Sequence, residues 1–270
     1  MTVYKDIDMI NTFISHIPKE WGLYIHIDRK SPIKETDIIR GNIYKKFKIF
    51  WGAREHLDSM LFLLNETEKD NIGYDYYHLV TGQDFFATSP QQFDEIIGPN
   101  GNIYMHTFSL PVPNWWNYKI LHYATLASYC NVQRGVMRYV NMLYCNLQSF
   151  LGLKRKLPEY PIFGGILYCS LTQMAVKKVL YGSVAKDLYS RLKHSLCAEE
   201  IFFQTVLMNS DLKDKIINNS LRYMDWEDPS PPKVLGVSDY DSIITSQALF
   251  CRKIDSHKSA ELLDKLSFPS

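Results

Sequence analysis

The segment WGLYIHIDRKSP, residues 21–32, decides the fold class. Its apolar side chains alternate, which predicts a strand, and the strand ends at Asp28 before a charged turn. The preceding segment IDMINTFISHI, residues 7–17, has the Ile and Phe spacing of a helix. A strand with an acid at its carboxyl end, next to an amphipathic helix, is typical of α/β proteins.

The same alternation continues up to residue 97, with Ser89 as the expected cap of the last helix and Pro90 at its first position. The predicted elements are a short strand at 47–52, a helix at 56–69, a buried strand at 74–86 that runs into a glycine turn, and a helix at 89–97. Ligands of such sheets bind beyond the carboxyl ends of strands, where Asp28 and residues 81–84 lie.

The second half of the chain adds further strands and helices without a linker rich in Gly, Pro and Ser. We therefore predict one α/β domain over residues 1–270, with a mixed Rossmann-type sheet flanked by helices. The predicted elements are a glycine turn, strand and helix at 163–180, a strand at 221–226, a proline-rich loop at 228–236, a helix that ends near Lys253, and a polar helix at the end of the chain.

Residues 113–157 form a predicted helical insertion that is basic and aromatic. No Asp or Glu occurs between Glu95 and Glu159, whereas Lys119, Arg134 and Arg138 lie there. Such a segment favours peripheral contact with an anionic membrane surface or an anionic carrier lipid. The alternative is an insertion that packs on the core with its charges solvated.

Composition excludes several classes of protein. The net charge of +1 gives no indication of nucleic-acid binding. The five cysteines are scattered, form no CxxC pair and predict a reducing compartment without a zinc site. The N-terminal residues do not form a signal peptide and no stretch is long enough to span a membrane, so we expect a cytoplasmic protein, at most peripheral on the inner face of a membrane.

The pair Glu199–Glu200 opens an apolar helix in the segment EEIFFQTVLMNS, residues 199–210. Acidic side chains in a first turn favour the positive end of a helix, which is one explanation for the pair. The other is that one glutamate is a general base. Phosphate loops, dinucleotide fingerprints and nucleophile elbows are absent from the sequence. Asp239 and Asp241 have Asp-x-Asp spacing but lie at a predicted helix start, where capping is expected, so we predict no metal site.

The strand-end carboxylates, the glutamate pair and the two lysines near the C-terminus are residues that could catalyse transfer of a sugar from a nucleotide diphosphate. A base must take the proton of the acceptor hydroxyl, and positive charge must stabilise the departing diphosphate. Enzymes without a metal ion can supply that charge from Lys or Arg.

Seven segments in order resemble the core-2/I-branching N-acetylglucosaminyltransferases (glycosyltransferase family 14), which include peptide O-xylosyltransferases. They are IHIDRKSP, WGAREHLDSMLFLL, YYHLVTGQDF, FGGILYCSLT, EEIFFQTVLMNS, LRYMDW and LFCRKID, and they span nearly the whole chain. The resemblance implies a GT-A-like fold and an inverting, metal-independent enzyme that uses a UDP-sugar as donor. UDP-GlcNAc and UDP-xylose are the donors that the family leads us to expect. The compact form favours a bacterial member.

The resemblance also assigns roles to single residues. Glu200 matches the base of the acidic pair, and Glu199 becomes a neighbour that shapes the site. The matching diphosphate-binding residues are Lys233 and Lys253. The residues that match positions near the nucleotide and sugar are Asp28, Gly82, Asp84 and Trp226, the last as a stacking wall. From the residues alone, turn capping explains the two aspartates, core packing explains Trp226, and a solvated charge explains Lys253.

Two departures from the family pattern affect these expectations. Only MTVYK precedes the first predicted helix, so the family's first strand is nearly missing and Tyr4 stands where His is usual. Loss of this strand predicts unpaired backbone groups in the neighbouring strands. Either Met1 is a wrongly assigned start of the chain, or the chain is a shortened variant with weakened donor binding. In addition, GGILYC replaces GSQWF, which removes a Trp near the expected acceptor side.

Three functions therefore stay open at this point. The first is the transferase, with a surface or capsular glycan, free or lipid-linked, as acceptor. The second is a non-catalytic relative that binds a glycan or nucleotide and has lost part of the donor pocket. The third is a metal-dependent transferase of another family.

Overall fold

A computed structural model describes residues 1–98, 101–112, 116–226 and 232–267, and of residues 116–118 it describes the backbone alone. The strands within these ranges are β1 Thr2–Val3, β2 Tyr24–Ile27, β3 Asn42–Tyr44, β4 Tyr76–His78, β5 Phe85–Phe86, β6 Ile103–Met105, β7 Phe108–Ser109, β8 Phe163–Gly164, β9 Cys169–Thr172, β10 Ile216–Ile217, β11 Arg222–Met224 and β12 Phe250–Arg252. The α-helices are α1 Ile7–His16, α2 Glu55–Lys69, α3 Phe93–Ile97, α4 Gly135–Phe150, α5 Gln173–Tyr181, α6 Ser183–Arg191, α7 Glu199–Met208, α8 Tyr240–Thr245 and α9 Ala260–Leu266.

The strands form several small sheets, and two of them are joined through β1. β1, β2 and β3 run parallel in that order. On its other side, Thr2 pairs with Thr81 just after β4, and β4 continues the sheet through β9, β6 and β10. β11, β12 and β5 form another sheet, and β7 pairs with β8. The α/β class with a mixed sheet flanked by helices is therefore confirmed.

The first strand is short but occupies its central place, contrary to the expected gap. The backbone of Thr2 donates to Val80 at 3.1 Å and accepts from Gly82 at 3.0 Å. On the other side, the carbonyls of Met1 and Val3 accept from His26 and Asp28, both at 2.9 Å. Along these three residues, the neighbouring strands therefore have a partner for these buried backbone groups.

Two apolar clusters hold the elements together. One surrounds α1 and β12, where Phe13, Phe86 and Phe250 pack ring against ring. The other surrounds α7, which is buried from Ile201 to Leu207. Beyond its first turn, α7 carries only two polar side chains, Gln204 and Thr205, and these donate to the carbonyls of Ile166 and Phe163.

Two predicted elements are wrong. Residues 47–52 are not a strand, because the backbone N–H groups of Phe47 and Ile49 donate to the side chains of His26 and Asp28 instead of to a ladder. The late helix ends at Thr245 rather than near Lys253. Gln247 adopts a left-handed φ of 55°, and the apolar residues that follow it pair as β12.

The predicted strand at 74–86 is also wrong as one element, since β4 and β5 belong to different sheets and the turn at 81–84 separates them. The remaining predicted elements are present with small changes of boundary or type. Pro90 begins a 3₁₀ turn that leads into α3, and the side chain of Ser89 makes no capping hydrogen bond. Asp239 does cap a 3₁₀ turn, since its Oδ2 accepts from the N–H of Gly236 at 2.8 Å. Part of the predicted proline-rich loop, residues 227–231, and residues 113–115 of the predicted insertion lie outside the described residues.

Candidate active site

The site begins at the N-terminus of α7, which carries Glu199 and Glu200 in its first turn. Cys197, two residues before α7, has a φ of 52°, and its N–H donates to the carbonyl of Gly52 at 2.8 Å. The carbonyl of Glu200 accepts from the N–H of Gly165 at 2.9 Å. Two loops distant in sequence therefore hold the start of this helix in place.

The two glutamates point to different partners, as expected for adjacent residues on a helix. Glu199 is 5% exposed, and its Oε1 lies 3.2 Å from Nδ1 of His56. Nε2 of His56 in turn lies 3.4 Å from the hydroxyl of Thr2 in β1. The Glu200 side chain is 29% exposed, and its Oε2 lies 2.5 Å from Nζ of Lys119. Of the two carboxylates, Glu200 is the one that solvent and substrate reach more easily.

The environment of Glu200 makes it a better base than a free glutamate. Burial raises the pKa of Glu200, and the neighbouring charge of Glu199 raises it further. The ammonium group of Lys119 and the ring of His56 act in the opposite direction and lower this pKa. A raised pKa brings a carboxylate closer to the operating pH, where general bases are most effective.

Asp28 lies directly after β2 as predicted, whereas Asp84 lies in the turn directly before β5. Each carboxylate accepts hydrogen bonds from its own turn. Oδ1 of Asp28 accepts from the N–H groups of Lys30 and Ile49, and Oδ2 lies 2.7 Å from Nζ of Lys30. Oδ2 of Asp84 accepts from the N–H and hydroxyl of Thr81 at 2.5 and 2.8 Å. These contacts agree with the turn-capping explanation, and roles near the nucleotide or sugar stay predictions.

Asp84 also belongs to a buried charge cluster. It has no exposed surface, and its Oδ1 lies 3.5 Å from Nη1 of Arg252, which donates to the hydroxyl of Thr81 at 3.2 Å. Arg252 lies over the ring of Tyr168, with its Cζ 4.2 Å from the ring centroid. The carboxylate of Asp84 therefore holds both the turn at Thr81 and the side chain of Arg252 in place.

Gly82 lets β1 and α1 pack closely. A Cβ at this position would lie 3.0 Å from Cγ1 of Ile10 and 3.2 Å from Cγ1 of Val3. Packing alone therefore accounts for a glycine here, and its predicted place near the nucleotide remains a prediction.

Lys233 and Lys253 are brought together by their backbones. The N–H of Lys253 donates to the carbonyl of Lys233 at 3.3 Å, and that of Leu235 donates to Lys253 at 2.8 Å. Nζ of Lys233 lies 3.0 Å from Oδ1 of Asp239 and 3.8 Å from Oδ2 of Asp225. Lys253 has no carboxylate within 4 Å among the residues that the structure describes.

The surroundings of Lys253 are less favourable to a positive charge than water. Burial lowers the pKa of Lys253, and the nearby charges of Arg252 and Lys5 lower it further. An anion such as a diphosphate would relieve this unfavourable environment. Trp226 is 56% exposed on the loop that leads to Lys233, which excludes core packing as the explanation for this residue.

Residues 165–168 connect the glutamates to the lysines. Gly165 contacts the backbone of Glu200, and Tyr168 stacks on Arg252, the neighbour of Lys253. Three peptide steps span at most roughly 11 Å. Residues 165–168 therefore contact both the start of α7 and Arg252, the residue before Lys253.

Sequence reasoning missed the partners of the predicted residues: Lys119, His56, Arg252 and Tyr168. Lys119 alone carried a signal, because it is the first lysine or arginine after Lys69 and lies among aromatic residues. His56 and Arg252 both lie in predicted helices and looked like ordinary helix residues.

A cavity of about 460 Å³ lies elsewhere, between β2 and β4 on the amino side of β1. Met1, Trp21, Tyr24, Tyr76 and His78 are among its lining residues, and none of the predicted site residues lines it. We place the candidate site at the start of α7 instead, because the predicted acids and lysines lie outside this cavity.

Within the described ranges, no group of three or more His, Cys, Asp and Glu side chains could hold a metal ion. In the same residues, no helix has the length and apolar character needed to cross a membrane.

A family model described as core-2/I-branching enzyme matches residues 1–244. The chain belongs to the core-2/I-branching enzyme family. It is therefore a glycosyltransferase, and the resemblance drawn from the seven sequence segments is confirmed. The family match leaves the donor, the acceptor and the site residues of this enzyme open.

Among solved structures, this core-2/I-branching enzyme is similar to the apo form of WbbM, a bifunctional glycosyltransferase. The two are 11% identical with a TM-score of 0.39, over 93% of this chain. The chain spans 45% of the length of WbbM. No curated protein sequence matches the chain.

Proposed function

We propose that this enzyme moves a sugar from a UDP-sugar to a hydroxyl of a glycan acceptor, with inversion and without a metal ion. The observation that carries the proposal is Glu200, a partly exposed carboxylate at the start of α7 whose pKa is raised by burial. This carboxylate suits a proton acceptor, and the ammonium groups of Lys233 and Lys253, whose backbones are hydrogen-bonded to each other, suit a diphosphate.

In the proposed reaction, Glu200 takes the proton of the acceptor hydroxyl as its oxygen attacks the anomeric carbon of the sugar. The bond from that carbon to the diphosphate oxygen breaks on the opposite face, and UDP leaves. Lys253 and Lys233 stabilise the charge that develops on the diphosphate. Exposed Trp226 stacks against a sugar ring, and Asp28, Gly82, Asp84 and Glu199 hold the surrounding turns.

The donor is UDP-GlcNAc or UDP-xylose, which is the expectation that the family gives. The acceptor is a growing surface or capsular glycan of a bacterium, and a lipid-linked form of it agrees with the basic and aromatic character of residues 113–157. On this proposal the enzyme works in the cytoplasm, peripheral to the inner face of the membrane, and needs no nucleic-acid partner.

Thermal unfolding with UDP and nucleotide sugars, each with and without EDTA, tests the donor site. A ligand at about 100 times its dissociation constant stabilises the fold by roughly 2.7 kcal/mol. We expect UDP to stabilise the enzyme equally with and without EDTA, and one UDP-sugar to be transferred. A requirement for Mn²⁺ would instead favour a metal-dependent transferase. No stabilisation by any nucleotide would favour the non-catalytic relative.

A further inference from the structure

Helix α4 buries polar side chains and exposes apolar ones, the reverse of an ordinary surface helix. Its buried side chains include two amides, Asn141 and Gln148. Oε1 of Gln148 accepts from the N–H of Tyr123 at 2.8 Å, and its Nε2 donates to the carbonyl of the same residue at 3.0 Å. Surface helices of globular proteins usually bury an apolar stripe and expose a polar one.

The apolar stripe of α4 points outward. Val136 is 76% exposed, Leu143 64% and Phe150 87%, at spacings of seven residues. Exposed apolar side chains fill the positions between and after them: Tyr139, Val140, Leu147, Leu151 and Leu153. A contiguous patch of this kind marks a surface that binds a protein or a membrane. We refer to this surface, residues 136–153, as the outward face.

The outward face is attached firmly to the body of the enzyme. The guanidinium of buried Arg155 donates to four backbone carbonyls, those of His122, Arg191, Lys193 and His194. The N–H of Arg155 donates to the carbonyl of Leu121 at 2.9 Å. These contacts fix the chain directly after α4 to the body of the enzyme, and the hydrogen bonds of Gln148 to Tyr123 fix the helix itself.

The charged residues of the segment that carries the outward face are of one sign. Exposed Arg134 and Arg138 lie at the start of α4, and exposed Lys154 and Lys156 lie beyond its end. No Asp or Glu occurs anywhere from residue 96 to residue 158. Apolar and aromatic side chains flanked by Arg and Lys are typical of helices that lie in the interface of an anionic bilayer.

We infer that the outward face binds the surface of an anionic membrane, with α4 lying flat and its apolar side chains among the acyl chains. The inference rests on the proposed function in one respect, since it explains how an acceptor carried by a membrane lipid would reach Glu200. Lys119, which contacts Glu200, belongs to the same predicted insertion as α4. The segment that carries the outward face therefore also contacts the proposed base.

Cosedimentation of the full chain with vesicles, without donor or acceptor, tests the inference separately from the proposed reaction. We expect binding to phosphatidylcholine vesicles that contain phosphatidylglycerol, weak binding without it, and weaker binding at high salt. Leu143→Ser combined with Phe150→Ser should reduce binding by at least about tenfold, because both side chains would leave the acyl region. Ile72→Ser, at an exposed apolar residue outside the outward face, should bind like the parent.

Light scattering of the same variants tests whether the outward face instead binds a second copy of the chain. Absence of binding to anionic vesicles overturns the inference, whatever the state of the chain in solution. If the chain is then a dimer that Leu143→Ser disrupts, the outward face binds a second copy. Unchanged stabilisation by UDP in the variants would show that the fold and the donor site are intact, so that failure of membrane binding and failure of the proposed function remain distinct.

Discussion

Nζ of Lys119 lies 2.5 Å from Oε2 of Glu200, so a lysine 81 residues earlier in the chain contacts the acidic start of α7. The contact joins the basic, acid-free part of the chain to the carboxylate that we propose as the base. It favours the ionised form of Glu200 against the effect of burial. The reactivity of Glu200 is therefore a balance between these two effects.

Replacement of Glu200 by Gln removes the proposed base and keeps its shape. We expect turnover to fall by roughly 10²–10⁴, with the dissociation constant for UDP unchanged. Steady-state kinetics and calorimetric titration with UDP measure the two quantities. Glu199→Gln is the matched control, since Glu199 is buried against His56 and should affect turnover less. Equal losses in both variants would contradict the assignment of the base.

Lys119→Met should move the acid limb of the pH profile for kcat/KM to higher pH. Lys119 lowers the pKa of Glu200, so its loss lets burial and Glu199 raise this pKa further. A base must be deprotonated, and activity would then be lost at a higher pH on acidification. Lys119→Arg keeps the charge and should retain the parent profile. An unmoved acid limb in Lys119→Met would show that another group titrates in the profile.

Lys253→Met should weaken UDP binding more than Lys233→Met. A hydrogen bond to a charged group contributes about 1.5–3 kcal/mol, which corresponds to roughly 10–100-fold in affinity for Lys253. Lys233 already lies close to Asp239 and Asp225, so part of its charge is neutralised before any ligand binds. Titration with UDP in the presence of EDTA measures both effects. The reverse order of the two variants would contradict this argument.

Gly165→Ala should destabilise the packing of residues 165–168 against the start of α7. A Cβ there would lie 2.0 Å from the carbonyl oxygen of His106, which forces the backbone to shift. Overpacking of this kind typically costs about 1–3 kcal/mol in free energy of unfolding. Urea unfolding measures the change, and turnover should fall with it because Gly165 contacts Glu200. Gly236→Ala, where a Cβ would meet nothing within 4 Å, should be nearly neutral.

His26 should make the fold less stable on acidification. It has no exposed surface, and burial lowers the pKa of His26 to about 4. Its Nε2 accepts from the N–H of Phe47 at 2.9 Å, which requires a ring with a free lone pair. The unfolded state takes up a proton below about pH 6.5 and the folded state only near pH 4, so stability is complete above the first value and falls between the two.

The expected loss from His26 is about 2 kcal/mol at about pH 5. Urea unfolding at about pH 7.5 and about pH 5 gives the difference in free energy of unfolding. In His26→Gln the side-chain oxygen can still accept from the N–H of Phe47, but the titrating group is gone. The difference in free energy of unfolding between the two pH values should therefore be smaller in this variant by about 2 kcal/mol. An equal difference in both proteins would mean that other groups cause the loss.

Sequence periodicity predicted the elements that depend on local residues. The first helix, the strand that ends at Asp28 and the helix now seen at Glu55–Lys69 lie close to their expected positions, because their apolar spacing is set within a few turns. Residues 47–52 have the pattern of a strand, yet their hydrogen bonds go to side chains at the end of β2. A local pattern cannot specify that partner.

The sequence by itself determined the family and the acidic start of α7, since both depend on short segments whose meaning is local. Only the tertiary structure decided which glutamate is accessible. Glu199 is engaged by His56, 143 residues away, and Glu200 by Lys119. It also decided that α4 turns its amides inward and its apolar side chains outward. Both outcomes depend on contacts between distant parts of the chain, which follow from how the whole chain packs and not from any one segment.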